Sequence, residues 1–188
     1  MAAVIVCPMR ITSCILKGRQ FKVPKTGVRP TTERTREAIF SSLVAYVPGA
    51  RVLDLFAGAG SLGLEAWSRG AASVTAVEKS SRTWKILSEN FQTLESDELG
   101  QWDAVRADVY AYLKRPVGPF DLIFADPPYD EVDLPRLLDA AAPALAPDGV
   151  LVFEMRNKGS YTVPPEWVSL KEKKYGSTRV IFLEHNDE

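Results

Sequence analysis

The chain has 188 residues, of which 46% are apolar and 25% charged, a composition typical of one soluble globular domain. No apolar run approaches the roughly 18 residues that cross a bilayer, and the N-terminus has no signal-peptide pattern, so we expect a cytoplasmic protein. The single histidine, His185, lies among the last residues, which argues against a histidine nucleophile or a metal site. The two cysteines, Cys7 and Cys14, have no metal-ligand spacing and suit a reducing compartment.

Charge is distributed unevenly along the chain. The first 40 residues hold eight Lys and Arg against two Glu, a net charge of +6, which leaves −7 for the other 148 residues because the total is −1. A basic arm on an acidic body indicates a polyanionic partner at one edge of the molecule. The alternative is an ordinary solvated charged surface.

The N-terminal arm has the pattern of a β-hairpin. Between residues 9 and 23 the segments RITSCIL and RQFKV predict two short strands that turn at Lys17 and Gly18. The Thr31–Thr32 pair then predicts the N-cap of an amphipathic helix that ends at Pro48 and Gly49. We therefore divide the chain into a basic hairpin extension, residues 1–30, and a main domain, residues 31–188.

From residue 50 onward, strand and helix patterns alternate. Strands are predicted at 51–57, 73–79, 104–107, 120–128 and 149–155, with helices between them and two closing strands joined at Gly176. This alternation indicates an α/β fold with a mostly parallel sheet covered by helices on both faces. Two successive strands with no helix between them add an antiparallel pair at one edge.

A glycine-rich turn follows the first strand of the main domain. Gly58, Gly60 and Gly63 satisfy the spacing G-x-G-x-x-G, and Glu78 follows Gly58 by twenty residues, where it can accept hydrogen bonds from both ribose hydroxyls. Glycines let a ligand approach the backbone, and the helix that begins near Ser61 directs N–H groups at it. These features alone fit a NAD-dependent oxidoreductase as well as a methyltransferase.

Asp54 favours S-adenosylmethionine over NAD. A carboxylate inside the strand, four residues before Gly58, can hold the ammonium group that S-adenosylmethionine has and NAD lacks, and there is no long second half for a separate substrate domain. Asp108 is placed either to accept from the adenine amino group or to cap the following helix, and we leave both roles open. Phe56 and Asp126 complete the expected donor contacts, and no metal is expected.

The segment Asp126-Pro127-Pro128-Tyr129 follows an apolar strand and predicts the catalytic loop. An exocyclic amino nitrogen of a base is a poor nucleophile because its lone pair is delocalised into the ring. The Asp126 carboxylate and the Pro127 carbonyl can accept its N–H groups, while Pro128 stiffens the loop and Tyr129 offers a face for stacking. Transfer would then depend on positioning and electrostatics, without a covalent intermediate.

With these residues in view, the chain resembles the RsmD family of small bacterial 16S rRNA guanine-N2 methyltransferases. The resemblance covers nearly the whole chain, and its most specific segments are RPTTERTREAIF and the preceding KGR hairpin, whereas the glycine loop and DPPY identify only the superfamily. It implies a Rossmann-like class I methyltransferase fold with a seven-stranded sheet, S-adenosylmethionine as donor, and a guanine in 16S rRNA as acceptor, within a 30S subunit or an assembly intermediate. We expect a monomer. The candidate RNA contacts are Arg10, Lys17, Arg19, Arg29, Arg34 and Arg36.

Two other functions remain as alternatives. A DNA adenine-N6 methyltransferase uses the same tetrapeptide, although the chain has no room for a target-recognition insertion. A non-catalytic RNA-binding protein could retain the fold, although it would have no reason to keep Asp54, Glu78 and Asp126.

Overall fold

The computed structural model describes residues 6–24, 32–128, 133–157 and 161–186. Its strands are β1 Val6–Arg10, β2 Gln20–Pro24, β3 Arg51–Leu55, β4 Ser73–Glu78, β5 Gln101–Arg106, β6 Phe120–Ala125, β7 Leu145–Arg156, β8 Trp167–Tyr175 and β9 Thr178–His185. Its helices are α1 Glu33–Ser42, α2 Ser61–Ser68, α3 Ser81–Leu94, α4 Val109–Leu113 and α5 Leu134–Ala141, the last followed by a 3₁₀ turn at Ala142–Ala144. No helix within these ranges is long and apolar enough to cross a membrane.

The main sheet has seven strands in the order β5-β4-β3-β6-β7-β9-β8. The first five of these are parallel, and β9 runs antiparallel to both of its neighbours, β7 and β8. The predicted mostly parallel sheet with an antiparallel edge is thus confirmed. The strand order reverses at β3, which lies between β4 and β6, and ligands of open α/β sheets bind beyond such a switch point.

Each face of the sheet has its own hydrophobic core. One face is covered by α1, α2 and α3, through side chains that include Phe40, Trp67 and Phe91, all fully buried. The other face is covered by α4 and α5, with Leu137 and Leu138 at its centre. The apolar strands are buried on both sides because helices cover both, which is why their sequences are nearly continuous apolar runs.

The N-terminal hairpin, β1 paired with β2, packs on the first of these cores. The predicted hairpin is confirmed, with its second strand close to RQFKV, but β1 begins four residues before RITSCIL and shares only Arg10 with it, so the position predicted for the first strand was wrong. Residues 11–19 form a turn in which Gly18 donates to the Ile11 carbonyl at 2.9 Å, and Ile11 and Leu16 point into the core. The pattern of apolar residues in RITSCIL is typical of a strand, but in the structure the side chains of Ile11 and Leu16 anchor a loop to the core. The boundary at residue 30 stays a prediction.

Helix α1 begins as predicted and ends earlier than predicted. The Thr32 hydroxyl accepts from the Thr35 N–H at 3.2 Å, which confirms the N-cap. The helix ends at Ser42, and Leu43 and Val47 reach the core from irregular turns. Tyr46 is 45% exposed, so the apolar spacing past Ser42 does not mark a continued helix.

Candidate active site

The candidate site lies where the parallel strands of the sheet end. Leu55 is in register with Val77 on one side and with Ala125 on the other. The next residues along these strands, Glu78 and Asp126, therefore emerge at the same edge as the glycine-rich loop after β3. The switch point of the sheet thus brings the end of β3 and the end of β6 together, although Asp54 and Asp126 are 72 positions apart in the sequence.

The glycine-rich loop after β3 contains residues with left-handed backbone conformations and packs closely against α3. Phe56 has a φ of +58° and Gly60 a φ of +90°, which is the left-handed region. A Cβ on Gly60 would lie 2.7 Å from the end of the Leu87 side chain, and the positive φ would strain any other residue, so this position strongly favours glycine. Helix α2 begins directly after Gly60, and the N-terminal end of its dipole faces the same edge.

Asp54 is buried beneath this loop. Only 1% of it is exposed, and its Oδ2 accepts from the Gly63 N–H in α2 at 2.9 Å. Burial, with smaller effects from Asp126 and Glu78, raises the pKa of Asp54 from 3.8 to about 7. The carboxylate therefore fixes the first turn of α2, and its role in holding an ammonium group stays a prediction.

Glu78 connects the second strand to the glycine loop. Its Oε2 accepts from the Gly58 N–H at 3.0 Å, and its Oε1 accepts from the Ser80 N–H at 2.6 Å. Burial raises the pKa of Glu78, while these backbone hydrogen bonds act in the opposite direction. The sequence predicted the position of this carboxylate at the site but not its bond to the loop.

Asp108 is confirmed as a helix cap. Its Oδ1 accepts from the N–H groups of Tyr110 and Ala111 at 3.1 and 3.2 Å, and its Oδ2 pairs with Lys79 Nζ at 3.1 Å. The hydrogen bond from Lys79 is the main cause that lowers the pKa of Asp108. An adenine amino group at this carboxylate would compete with the exposed Lys79 side chain, and that role for Asp108 stays a prediction.

The acceptor side of the site is formed after β6. Asp126 is half-buried, Pro127 is buried and Pro128 is exposed, while Tyr129 lies outside the described residues. Asp126 follows β6 directly and Asp54 lies in the neighbouring strand β3, in register with Phe124, so the two carboxylates lie toward the same end of adjacent strands. The charge of Asp126 contributes to raising the pKa of Asp54. Among the described residues, no group of three or more potential ligands could hold a metal ion.

The predicted RNA contacts separate into exposed and buried residues. Arg10, Lys17, Arg19 and Arg34 are exposed, and Arg29 lies outside the described residues. Arg36 is 0% exposed, so its assignment as an RNA contact was wrong: a phosphate cannot reach a guanidinium that is enclosed by protein.

Arg36 belongs to a buried network that the sequence did not reveal. Its Nη2 donates to the Arg10 carbonyl at 2.6 Å, and its Nε lies 3.9 Å from Glu65 in α2. Glu65, 1% exposed, also accepts from the Thr12 N–H at 3.0 Å and from Arg69 Nη2 at 2.9 Å. The available signal was an acid among apolar residues in LGLEAW, at a position that faces the core.

A family model described as Conserved hypothetical protein 95 matches residues 9–184, which is nearly the whole chain. The chain belongs to this family. It is the RsmD family, in agreement with the resemblance found in the sequence. A relative in Escherichia coli, Ribosomal RNA small subunit methyltransferase D, is 34% identical over 172 residues, covering 89% of this chain and 85% of the relative.

Solved structures show the same fold. The Escherichia coli protein yhhF has a TM-score of 0.85 and 31% identity, covering 97% of this chain and all of its own. A 16S rRNA N2 guanine methyltransferase of Thermus thermophilus, solved with AdoMet and guanosine, has a TM-score of 0.70 and 23% identity. It covers 98% of this chain and 51% of its own, and at this identity it shows the fold alone. The class I methyltransferase fold expected for RsmD-family members is thereby confirmed.

Proposed function

We propose that this chain transfers a methyl group from S-adenosylmethionine to the exocyclic N2 of a guanine in 16S ribosomal RNA. The observation that carries the proposal is the meeting of Asp126, Asp54 and Glu78 at one edge of the sheet, beside the glycine-rich loop. The name of the Escherichia coli relative supports a substrate in small-subunit rRNA.

The charges at the site fit this donor. S-adenosylmethionine carries a positive sulfonium and a positive ammonium group. The Glu78 carboxylate bonds to the loop that would receive it, and the Asp54 carboxylate lies beneath that loop. We assign Glu78 to the ribose hydroxyls, Asp54 to the ammonium group and Asp108 to the adenine amino group. NAD has no ammonium group for the Asp54 carboxylate to neutralise.

The chain's own part in the chemistry is to orient the acceptor. When bound, S-adenosylmethionine supplies an electrophilic methyl group on its sulfur. The Asp126 carboxylate and the Pro127 carbonyl accept the two N–H groups of the guanine amino nitrogen and direct its lone pair toward that methyl group. We include Tyr129 from the sequence, as a side chain on which the extruded base would stack. As the bond from nitrogen to the methyl carbon forms, the bond from that carbon to sulfur breaks and S-adenosylhomocysteine leaves. The nitrogen loses one proton during or after the transfer. Because Asp126 only has to accept a hydrogen bond as the nitrogen becomes positive, it need not be a strong base.

The basic arm supplies the RNA contacts. Arg10, Lys17, Arg19 and Arg34 are exposed and available to phosphates, and we include Arg29 from the sequence. We propose that the substrate is presented within a 30S subunit or an assembly intermediate, in the cytoplasm, and that the chain acts as a monomer.

Methyl transfer from labelled S-adenosylmethionine tests the proposal. The acceptors are 30S subunits, naked 16S rRNA and DNA from a strain that lacks the enzyme, and Asp126→Ala is the inactive control. Nucleoside analysis identifies the methylated atom. We expect N2-methylguanosine in the RNA and none with Asp126→Ala.

The other outcomes correspond to the alternatives. Label found only as N6-methyladenine in DNA would replace the RNA assignment with that of a DNA methyltransferase. RNA binding without transfer to any acceptor would leave a non-catalytic RNA-binding protein.

A further inference from the structure

A buried asparagine lies between the N-terminal hairpin and the glycine-rich loop. Asn90, on α3, is 3% exposed. Its Oδ1 accepts from the Lys22 N–H of β2 at 2.9 Å, and its Nδ2 donates to the Lys22 carbonyl at 2.9 Å. The same Nδ2 donates to the Ala59 carbonyl at 2.9 Å. One amide group therefore holds both backbone groups of a hairpin residue and one carbonyl of the loop.

These three bonds determine the orientation of the amide. Lys22 N–H needs an acceptor, whereas the carbonyls of Lys22 and Ala59 need donors, so a flipped amide would break all three. The bond to the Ala59 carbonyl is buried, and the two bonds to Lys22 are partly buried. A change at Asn90 removes a partner from backbone groups of both elements at once.

Ala59 stands between Gly58 and Gly60, at the centre of the loop that would receive the donor. Helix α3 also packs against this loop through Leu87 and Phe91, which a Cβ on Gly60 would meet at 2.7 and 3.3 Å. The path of the loop is therefore determined by the face of α3 that carries Asn90. The hairpin bonds to the same side chain, so its position depends on that of the loop.

We infer that Asn90 is a positioning residue that joins the RNA-binding hairpin to the donor loop, so that RNA and donor bind cooperatively. The inference rests on the proposed function, because it takes the hairpin as an RNA contact and the loop as the donor site. When the donor orders the loop, the bonds of Asn90 hold the backbone of Lys22 in place. When RNA orders the hairpin, the same side chain holds the backbone of Ala59 in place. By linkage, each ligand then raises the affinity for the other by the same factor.

Binding of S-adenosylhomocysteine with and without 16S rRNA measures this coupling. In the wild-type protein we expect RNA to lower the Kd for S-adenosylhomocysteine about fivefold or more, within the usual range of coupling between sites. Asn90→Leu keeps the branched shape of the side chain and removes all three bonds. In this variant the ratio of the Kd for S-adenosylhomocysteine without RNA to the Kd with RNA should therefore fall close to one.

Glu89→Gln is the matched control. Glu89 pairs with the Nζ of the same Lys22 at 3.3 Å, but both side chains are more than half exposed. An exposed ion pair contributes little free energy to holding the hairpin in place, so this variant should keep the wild-type coupling between RNA and donor binding. Equal coupling in the wild type and in Asn90→Leu would overturn the inference, as would the absence of coupling in the wild type.

Amide hydrogen exchange provides a test that needs neither a variant nor RNA. S-adenosylhomocysteine should slow exchange of the Lys22 amide in the wild type several-fold more than exchange of the Leu183 amide in β9, which reports general stabilisation. Equal slowing of the two amides would contradict the inference even if Asn90→Leu failed to fold. Lack of methyl transfer by the wild type, with Lys22 still selectively protected, would instead count against the proposed function.

Discussion

The Gly58 N–H donates to Oε2 of Glu78 at 3.0 Å, across the ends of β3 and β4. The carboxylate assigned to the ribose thus also holds the loop that receives the rest of the donor. We expect Glu78→Ala to weaken S-adenosylhomocysteine binding about 10- to 100-fold, because it removes ligand contacts and releases the loop. Titration calorimetry measures this, with RNA binding by the same variant as the control. Unchanged donor affinity would contradict the assignment.

Asp126→Asn tests the acceptor side. The amide keeps one acceptor oxygen but loses the negative charge that favours a nitrogen becoming positive, so kcat should fall about 100- to 1,000-fold, as when one oriented polar group is removed from a site. The Kd for S-adenosylhomocysteine should change less than threefold. A decrease in donor affinity as large as the decrease in kcat would show that Asp126 acts mainly on the donor.

Asp54 should make both stability and donor affinity depend on pH. Its pKa of about 7 in the folded protein exceeds the ordinary 3.8, so between these values the folded state holds a proton that the unfolded state has released. Its contribution to stability therefore falls as pH rises from about 4 to about 7. We expect Asp54→Asn to be more stable than the wild type above pH 7, by up to about 4 kcal/mol.

The same substitution should weaken donor binding, because an amide cannot neutralise an ammonium group. In the wild type, donor affinity should decrease as pH falls below 7 and Asp54 takes up a proton. Urea unfolding and calorimetry at pH 5.5, 7 and 8.5 measure both effects. A wild-type affinity that is constant over this range would exclude Asp54 as a contact for the donor's charge.

Arg34 and Arg36 lie two residues apart on α1, but we expect Arg36 to contribute to stability and Arg34 to RNA binding. Arg36→Ala removes a buried cation beside Glu65, so we expect a decrease in stability of about 3–5 kcal/mol. Arg34→Ala should leave stability within about 0.5 kcal/mol and weaken RNA binding. Thermal unfolding and RNA titration separate the two effects. A stable Arg36→Ala protein with impaired RNA binding would restore the RNA role to Arg36.

The exposed cations of the hairpin turn should bind RNA phosphates. For Lys17→Ala combined with Arg19→Ala, we expect weaker RNA binding and a smaller slope of log K against log salt, by about 0.7–0.9 for each phosphate that is no longer neutralised. Filter binding at several salt concentrations measures the slope, and the Kd for S-adenosylhomocysteine serves as the control. A parallel shift with an unchanged slope would show that these residues touch no phosphate.

The fold class, and the position of the candidate site at one edge of the sheet, could be predicted from the sequence because these depend on local patterns. Continuous apolar strands, separated by helices that begin after polar caps, predict the parallel sheet, and the glycines after β3 and the Asp-Pro-Pro segment after β6 mark its active edge. The sequence predicted Thr32 as a helix cap and gave capping as one of two roles for Asp108, because capping depends on a few adjacent residues.

Which polar residues are buried, and what they bind, depends on how distant elements pack together. Arg36 and Arg34 have the same chemistry in the sequence, yet Arg36 faces Glu65, which is 29 positions away along the chain. The bond between Asn90 and Lys22 spans 68 positions, and the turn that buries Ile11 and Leu16 depends on helices that follow much later. Burial and long-range pairing arise from packing between elements, and a pattern within one element cannot specify its partner.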